Sequence, residues 1–360
     1  MTAAGQRRTA ARRTAGGENG TPDRGEGASV ALGRGEGLTG VLADSGSLCH
    51  HLAMETSTWP QLTVDSWTAT RDTLHMWLQI VGKIQLESTP LINHWWNVTF
   101  EVSARGLRTR TMWQADAAFD AEFDFVNHEL VFRTVRGDSR SIALEPRTVA
   151  DFYSATFGAL QSLGIHVDIS ATPNEVAPAI AFADDTTHHH YDPVAVHTFW
   201  RQLVASAQVF QEWSAGFAGK NSPVALFWGS LDLSCVRFSG RAAPPYTGTP
   251  PPACGPQVMA EAESRENAAA GFWAGGSDEG SFYAYAYPSP DGYSAGKLSA
   301  GHFDEALGEY ILPYAQVRQS SDPRSMVLTF LDETYALAAD LGKWDRSLLD
   351  IDPDRLADAQ

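Results

Sequence analysis

An α+β protein with antiparallel sheets flanked by helices is the fold class this sequence predicts. Apolar residues recur at helical spacing in four separated stretches. Runs of period-two alternation lie between them, and short turns of the kind that favours antiparallel pairing join those runs. With 43% apolar residues and eleven tryptophans among its 360 residues, the chain can bury a sizeable core.

The first helix is expected over 66–86, where Leu74, Trp77, Leu78, Val81 and Ile84 share a stripe and no proline interrupts. After Pro90 the period changes to two. Trp96, Val98, Phe100 and Val102 would take one face of a strand, and Trp95, Asn97, Thr99 and Glu101 the other. Phe119, Phe123 and Phe125 alternate in the same way with Asp120, Glu122 and Asp124. Asn127-His128 predicts a turn into a strand over 129–135, and Gly137-Asp138 a turn into one over 141–144, completing a meander. A second helix over 148–163 is stopped by Gly164.

After a proline-bearing connection over 172–185, Pro193 opens a long helix reaching about 218, a position that suits proline. Strand-like runs follow at 224–238, 281–287 and 309–314, while the proline-dense stretch 241–256 must be loop. The last helix spans 322–341 before Gly342. The order is thus helix, sheet, helix, and the same again. It suggests two diverged α+β repeats, 56–170 and 186–345, around a shared core. His75-Met76-Trp77 is echoed by His197-Thr198-Phe199-Trp200, and Trp95-Trp96-Asn97 by Phe227-Trp228-Gly229. A chain of this length can also be cut into such halves without any repeat.

Residues 1–53 hold eleven glycines and no Phe, Trp or Tyr, so they cannot offset their ordering entropy. Residues 1–55 are therefore expected to be a disordered tail and 346–360 a second, C-terminal one, with Met54 as the true initiator. The formal charge of -17 argues against a nucleic-acid partner, and the chain has no apolar run that would span a membrane. Cys49, Cys235 and Cys254 are widely spaced, without a CxxC pair, which fits a reducing, cytoplasmic compartment. The expected partner is a small polar molecule. The sequence identifies no cofactor, and oligomeric state is open.

Within the first helix, His75, Gln79 and Lys83 fall at i, i+4 and i+8 on an otherwise apolar surface. Such a line must either be satisfied internally or face a water-filled cleft. A second cluster is His94, Trp95 and Asn97. With Thr99, Glu101 and the carboxylates of 120–124 it forms either an ordinary solvated sheet face or a polar groove suited to a sugar or polyol. The third cluster, Lys220, Ser222, Trp228, Asp232, Arg237 and Arg241, concentrates positive charge in an acidic protein, as a ligand carboxylate or phosphate would require. A loop stapled by salt bridges to Asp232 is the structural alternative. His188-His189-His190 has no HExxH or other compact ligand spacing, so an exposed loop is expected and no metal site. Tyr283, Tyr285 and Tyr287 alternate on one strand face, as packing or as a cleft wall.

Several strings resemble an uncharacterised bacterial family, the domain of unknown function numbered five-nine-nine-six. They include Trp59-Pro60, Thr73-Leu74-His75-Met76-Trp77, Asn93-His94-Trp95-Trp96-Asn97, Phe227-Trp228-Gly229-Ser230, Arg237-Phe238-Ser239-Gly240-Arg241 and Gly271-Phe272-Trp273. The resemblance runs over residues 59–345. It implies one family domain spanning both halves and brings no activity with it. Two positions depart from it: Ala225 and Arg265 stand where relatives resemble Ser-Pro-Val-His and Ser-His-Glu. If those histidines bind metal or move protons in relatives, this copy has lost both.

The leading functional expectation is a cytosolic enzyme acting on a small polar, anionic molecule in a cleft. His75 would serve as general acid or base, with Asp232 orienting a basic residue. Gln79, Lys83, His94, Trp95, Asn97, Lys220, Ser222, Trp228, Arg237 and Arg241 would bind the ligand. The alternatives are a non-catalytic binding or regulatory module and a structural interaction protein.

Overall fold

A 24-residue helix, α1 (Val64–Glu87), runs through the middle of the protein, and every residue from Thr73 to Gln85 is buried. The computed structural model describes residues 58–351, apart from 277. The expected tail of residues 1–55, Cys49, the Met54 start and the chain end beyond 351 lie outside the described residues. The helix is uninterrupted by proline and ends at Ser88, two residues before Pro90, as the restriction that proline places on its predecessor requires.

The first sheet is an antiparallel meander of β1 (Glu101–Val102), β2 (Gly106–Arg108), β4 (Ala117–Asp124), β5 (Glu129–Thr134) and β6 (Ser139–Ala143). A short β3 (Met112–Gln114) pairs with the opening half of β4. Phe119, Ala121 and Phe123 alternate inward from β4 with Leu130 and Phe132 from β5. Helix α2 (Val149–Ser162) closes the unit. Thr148 caps it by accepting from the Asp151 amide at 3.0 Å, and Gly164, at φ 73°, ends it.

A second helix-bounded sheet follows along the chain. Helix α3 (Pro193–Ala215) starts on Asp192, which accepts from the amides of Val194 and Ala195 at 2.9 and 3.3 Å. The second sheet runs β11 (His302–Asp304), β12 (Glu309–Pro313), β10 (Ser281–Tyr287), β9 (Arg265–Trp273), β8 (Asp232–Ala242) and β7 (Ala225–Phe227), antiparallel throughout. A short α4 (Pro256–Ala262) leads into β9. After β12 come α5 (Tyr314–Arg318), α6 (Pro323–Leu341), laid on β9 and β10, and α7 (Arg346–Leu349). The two sheets meet where Phe100 and Leu226 exchange backbone hydrogen bonds of 2.9 and 2.8 Å. None of the helices among the described residues is long and apolar enough to cross a membrane.

Four sequence expectations are corrected. Residues 93–98 are two 3-10 turns rather than a strand, because His94 and Trp95 adopt left-handed φ values of 58° and 62°; only Glu101–Val102 are strand. The run 224–238 is a hairpin, turned at 228–231 with Leu231 at φ 56°. Strand β9 was not expected, since Ala268, Ala269, Ala270 and Gly271 carry little strand propensity. Those small residues make room: a Cβ on Gly271 would lie 2.2 Å from the Tyr283 hydroxyl crossing it. Finally, residues 346–351 are not tail. Ala218 donates to the Leu349 carbonyl at 2.6 Å and Ile351 to that of Gly216 at 3.1 Å.

Helix α1 approaches the β7–β8 turn so closely that a Cβ on Gly82 would meet the Trp228 indole at 2.3 Å. Alanine has the better helix propensity, yet here overlap with a buried ring decides the sign. Gly82→Ala is expected to cost about 1–3 kcal/mol in urea unfolding. Gly158 in α2 has nothing within 4 Å of a Cβ. The same substitution there should stabilise by about 0.5–1 kcal/mol. Equal effects at the two sites would contradict this packing.

Candidate functional site

The polar line on α1 is closed from within. Gln79 grips the backbone of Asn174 on both sides, its Nε2 donating to the Asn174 carbonyl at 2.8 Å and its Oε1 accepting from the Asn174 amide at 2.7 Å. Lys83 Nζ donates to the Asn174 side-chain oxygen and sits 5.7 Å from the Trp228 ring. Asn174 in turn donates to the Ala253 carbonyl at 2.8 Å and to Cys254 Sγ at 3.4 Å. His75 Nε2 lies 2.9 Å from the Trp228 carbonyl oxygen and 3.1 Å from that of Gly229. The same nitrogen lies 3.1 Å from Gln79 Nε2, so it is enclosed by partners from α1 and from the 228–229 turn. Burial lowers the Lys83 pKa, against the raising influence of Cys254 and Glu87. Gly229 lies close beside this network, and a Cβ there, 2.3 Å from Glu175 Oε1, would make that side chain shift. These residues form a latch holding two loops to α1, the internally satisfied alternative of the sequence reading.

The structure therefore does not gather the twelve expected site residues around one cleft. Asn97 is buried and ties its own turn, donating to Thr89 Oγ1 at 3.1 Å and accepting from the Ile92 amide at 3.3 Å. Ser222 donates to the Pro223 carbonyl and accepts from the Val236 amide, each at 2.9 Å. Asp232 is fully buried and accepts from Ser230 and Tyr283. Arg237 lies 3.9 Å from the Trp213 ring and 4.5 Å from that of Tyr335, and donates to the Trp213 carbonyl. Arg241 pairs with Glu266 at 2.5 Å and caps α6 through the carbonyls of Gly342 and Lys343. Of the two alternatives for the carboxylates of 120–124, the contacts fit an ordinary sheet face: Glu122 pairs with Arg133 at 2.9 Å and Asp124 with Arg105 at 2.6 Å. His188 is bound to Asp185 at 2.7 Å.

Two expected residues do meet at a crevice. Because His94 has a left-handed backbone, its amide reaches Glu261 Oε1 at 2.8 Å and its Nδ1 donates to the Ala262 carbonyl at 3.1 Å. That fixes the tautomer: Nε2 is free of a proton and accepts from Lys220 Nζ at 2.8 Å. Lys220 lies over the rings of Trp96 and Phe238 at 5.1 and 4.9 Å, and His94 stacks on Phe238 at 4.5 Å. Trp95 braces the turn, donating from Nε1 to the Val258 carbonyl at 3.0 Å. Behind His94 and Trp96 opens a narrow crevice of about 30 Å³, room for a water molecule, lined also by Ser234, Glu263, Asn267 and Tyr285.

Burial first, then Lys220, lowers the His94 pKa and keeps the ring neutral. Burial likewise lowers that of Lys220, with the Arg265 guanidinium adding to the effect. Glu263 is 4% exposed, and burial raises its pKa, although Asn267 donates to it at 2.7 Å and the Tyr285 hydroxyl at 3.2 Å. Sequence reading missed Glu261, Glu263 and Asn267 because they precede or lie on a strand that it did not recognise. The signal available was Tyr285, already placed on a face of alternating tyrosines. Ala225 pairs with the lining residue Ser234 across β7 and β8, and Arg265 lies near Lys220. Among the described residues no three His, Cys, Asp or Glu side chains are grouped to hold a metal ion.

Residues 59–351 match the family of unknown function DUF5996, and the chain belongs to that family. No curated protein and no solved structure matches it.

A carboxyl group with a raised pKa in the fold loses stability as pH rises from its ordinary value through the raised one. Glu263→Gln removes that loss while keeping acceptor and donor in place. Its melting temperature is expected to fall less than the parent's as pH is raised above 4.5. Parallel melting curves for the two proteins would mean that Glu263 ionises as freely in the fold as outside it.

Proposed function

We propose that this member of the DUF5996 family binds a small anionic molecule at the mouth of the crevice, beside His94 and Lys220, and that this site is equipped to move a proton. The observation that carries the reading is a split in protonation across one concavity. His94 presents a proton-free Nε2 beside Lys220, and Glu263 is held toward its protonated form by burial. Groups whose environments push their pKa values apart are suited to acid and base roles.

Lys220 and Arg265 are exposed and lie close together at the rim, in a chain whose net charge is otherwise strongly negative. An anion seated there would draw the Lys220 ammonium away from His94, leaving Nε2 able to accept a proton from the ligand. Glu263 could return one from the other side. The aromatic faces of Trp96 and Phe238 lower the local dielectric and strengthen both interactions.

A second reading, binding without turnover, is favoured by Ala225 and Arg265. If the histidines of relatives at these positions take part in chemistry, this chain keeps the crevice without that capacity.

Calorimetric titration with a panel of small carboxylates and phosphates tests the proposal. At least one should bind, and Lys220→Ala should weaken it about tenfold or more, the loss of one charge-assisted hydrogen bond. The melting temperature should barely change, because Lys220 is exposed. Unaltered affinity in Lys220→Ala would remove the rim from the account. Consumption of the bound compound that His94→Gln abolishes would select the enzyme over the binding module.

A further inference from the structure

Lys220 and His94 stand as an amine and a base already in contact. Lys220 Nζ donates to His94 Nε2 at 2.8 Å. That nitrogen is an acceptor because Nδ1 donates to the Ala262 carbonyl at 3.1 Å, and Glu261 fixes the backbone beneath the ring by accepting from the His94 amide at 2.8 Å. Lys220 is anchored as well. Its carbonyl accepts from the Phe238 amide at 3.0 Å, and the rings of Trp96 and Phe238 lie 5.1 and 4.9 Å from Nζ. His94 is buried while Lys220 is exposed, so the base is sheltered and the amine accessible. A nucleophile within hydrogen-bond reach of a base, with the base oriented by a third group, is the arrangement that covalent catalysis by a side chain requires. An amine gains reactivity when desolvation or a second cation disfavours its charged form. Both act on Lys220, burial first and then Arg265, while Glu261 pulls the other way.

From this dyad, and resting on the reading of the mouth as an anion site, we infer that Lys220 is a nucleophile that forms an imine with a small oxo acid, a carbonyl compound bearing a carboxylate. The step balances within the site. Lys220 passes a proton to His94 Nε2, and the freed lone pair forms the nitrogen–carbon bond while the carbonyl π pair moves onto oxygen. That oxygen takes the proton from His94. His94 then removes a second proton from the nitrogen and delivers it to the hydroxyl, which leaves as water as the carbon–nitrogen double bond closes. Ammonium and carbonyl have become iminium and water, with His94 restored and no oxidant or reductant consumed. Arg265, close to Lys220, supplies the charge for the carboxylate. A carbonyl is the class that this dyad can turn over, because attack on an ester or acyl phosphate would leave Lys220 as a stable amide. The crevice behind has room only for a water molecule, so the oxo acid lies at its mouth.

The test is imine trapping on the unmodified chain at neutral pH, with the other lysines as internal controls. Glyoxylate, pyruvate and neutral acetaldehyde are each supplied with cyanoborohydride, which reduces an imine to a stable secondary amine, and labelling is read by peptide mass spectrometry. With at least one of the oxo acids Lys220 should be labelled about tenfold or more faster than exposed Lys297 and Lys343, a modest share of what a positioned acid–base group contributes. Its lead should shrink with acetaldehyde, which has no carboxylate for Arg265, and His94→Gln should abolish it. Equal labelling of Lys220 and Lys297 by both oxo acids would overturn the nucleophile. If Lys220→Ala still weakens carboxylate binding, the anion site then stands without it; if not, both fall. An undiminished lead with acetaldehyde would overturn the oxo acid as the substrate class. The comparison among lysines on the unmodified chain decides the matter even if the variant fails to fold.

Discussion

Burying every residue of α1 from Thr73 to Gln85 is the constraint on which the rest of the structure depends. A helix sunk this deep satisfies its own backbone, but His75, Gln79 and Lys83 must find partners inside the protein. They find them in loops distant in sequence, at Asn174 and at the Trp228–Gly229 turn of the second half. Polar satisfaction of one helix thus sets the position of two connections that have no regular structure of their own. The approach is close enough to require glycine at 82, where a Cβ would overlap the Trp228 ring. Histidine and lysine at i and i+8 look like chemistry in sequence, and here they serve assembly.

The crevice arises from a different compromise. His94 and Trp95 occupy left-handed backbone conformations that cost energy for non-glycine residues, and such outliers persist only where their surroundings over-determine them. Glu261, Ala262 and Val258 supply that determination by hydrogen-bonding to the two residues. The turn therefore belongs as much to α4 as to its own segment, and it brings an imidazole to the edge of the second sheet. Behind it, Asn267 of β9, Tyr285 of β10 and Glu263 line the narrow space. Space, a neutral imidazole and an acid sheltered from water occur together because the same turn and strand produce all three.

Much of the fold was legible in the sequence, for identifiable reasons. Long periodic stretches such as Leu74–Ile84 and the Phe119–Phe125 alternation face one environment along their length, so period reports structure directly. The errors fall where period misleads. Trp96, Val98 and Phe100 alternate like a strand, but local partners bend the chain at His94 and Trp95. Strand β9 is built from alanine and glycine because neighbours need the room, which composition alone reads as absence of a strand. The site was legible in part. His94 and Lys220 could be singled out by residue type, but their pairing is a tertiary fact, as is the burial of Glu263. Arg237 misled for a related reason: positive charge suggested a ligand, where aromatic rings from α3 and α6 enclose the guanidinium.

The central claim is that the polar line of α1 is a closed latch while Lys220, at the mouth of the crevice, is open to small molecules. The chain has four lysines, Lys83, Lys220, Lys297 and Lys343. Limited acylation of the native protein, read site by site by mass spectrometry, therefore tests the claim directly. A lowered pKa raises the reactive amine fraction at both Lys83 and Lys220, so access alone separates them. The account predicts that Lys220 reacts at least as fast as exposed Lys297 and Lys343, while Lys83 stays unmodified until the protein unfolds. Labelling of Lys83 at the rate of Lys297 would contradict it and return the site to the helix.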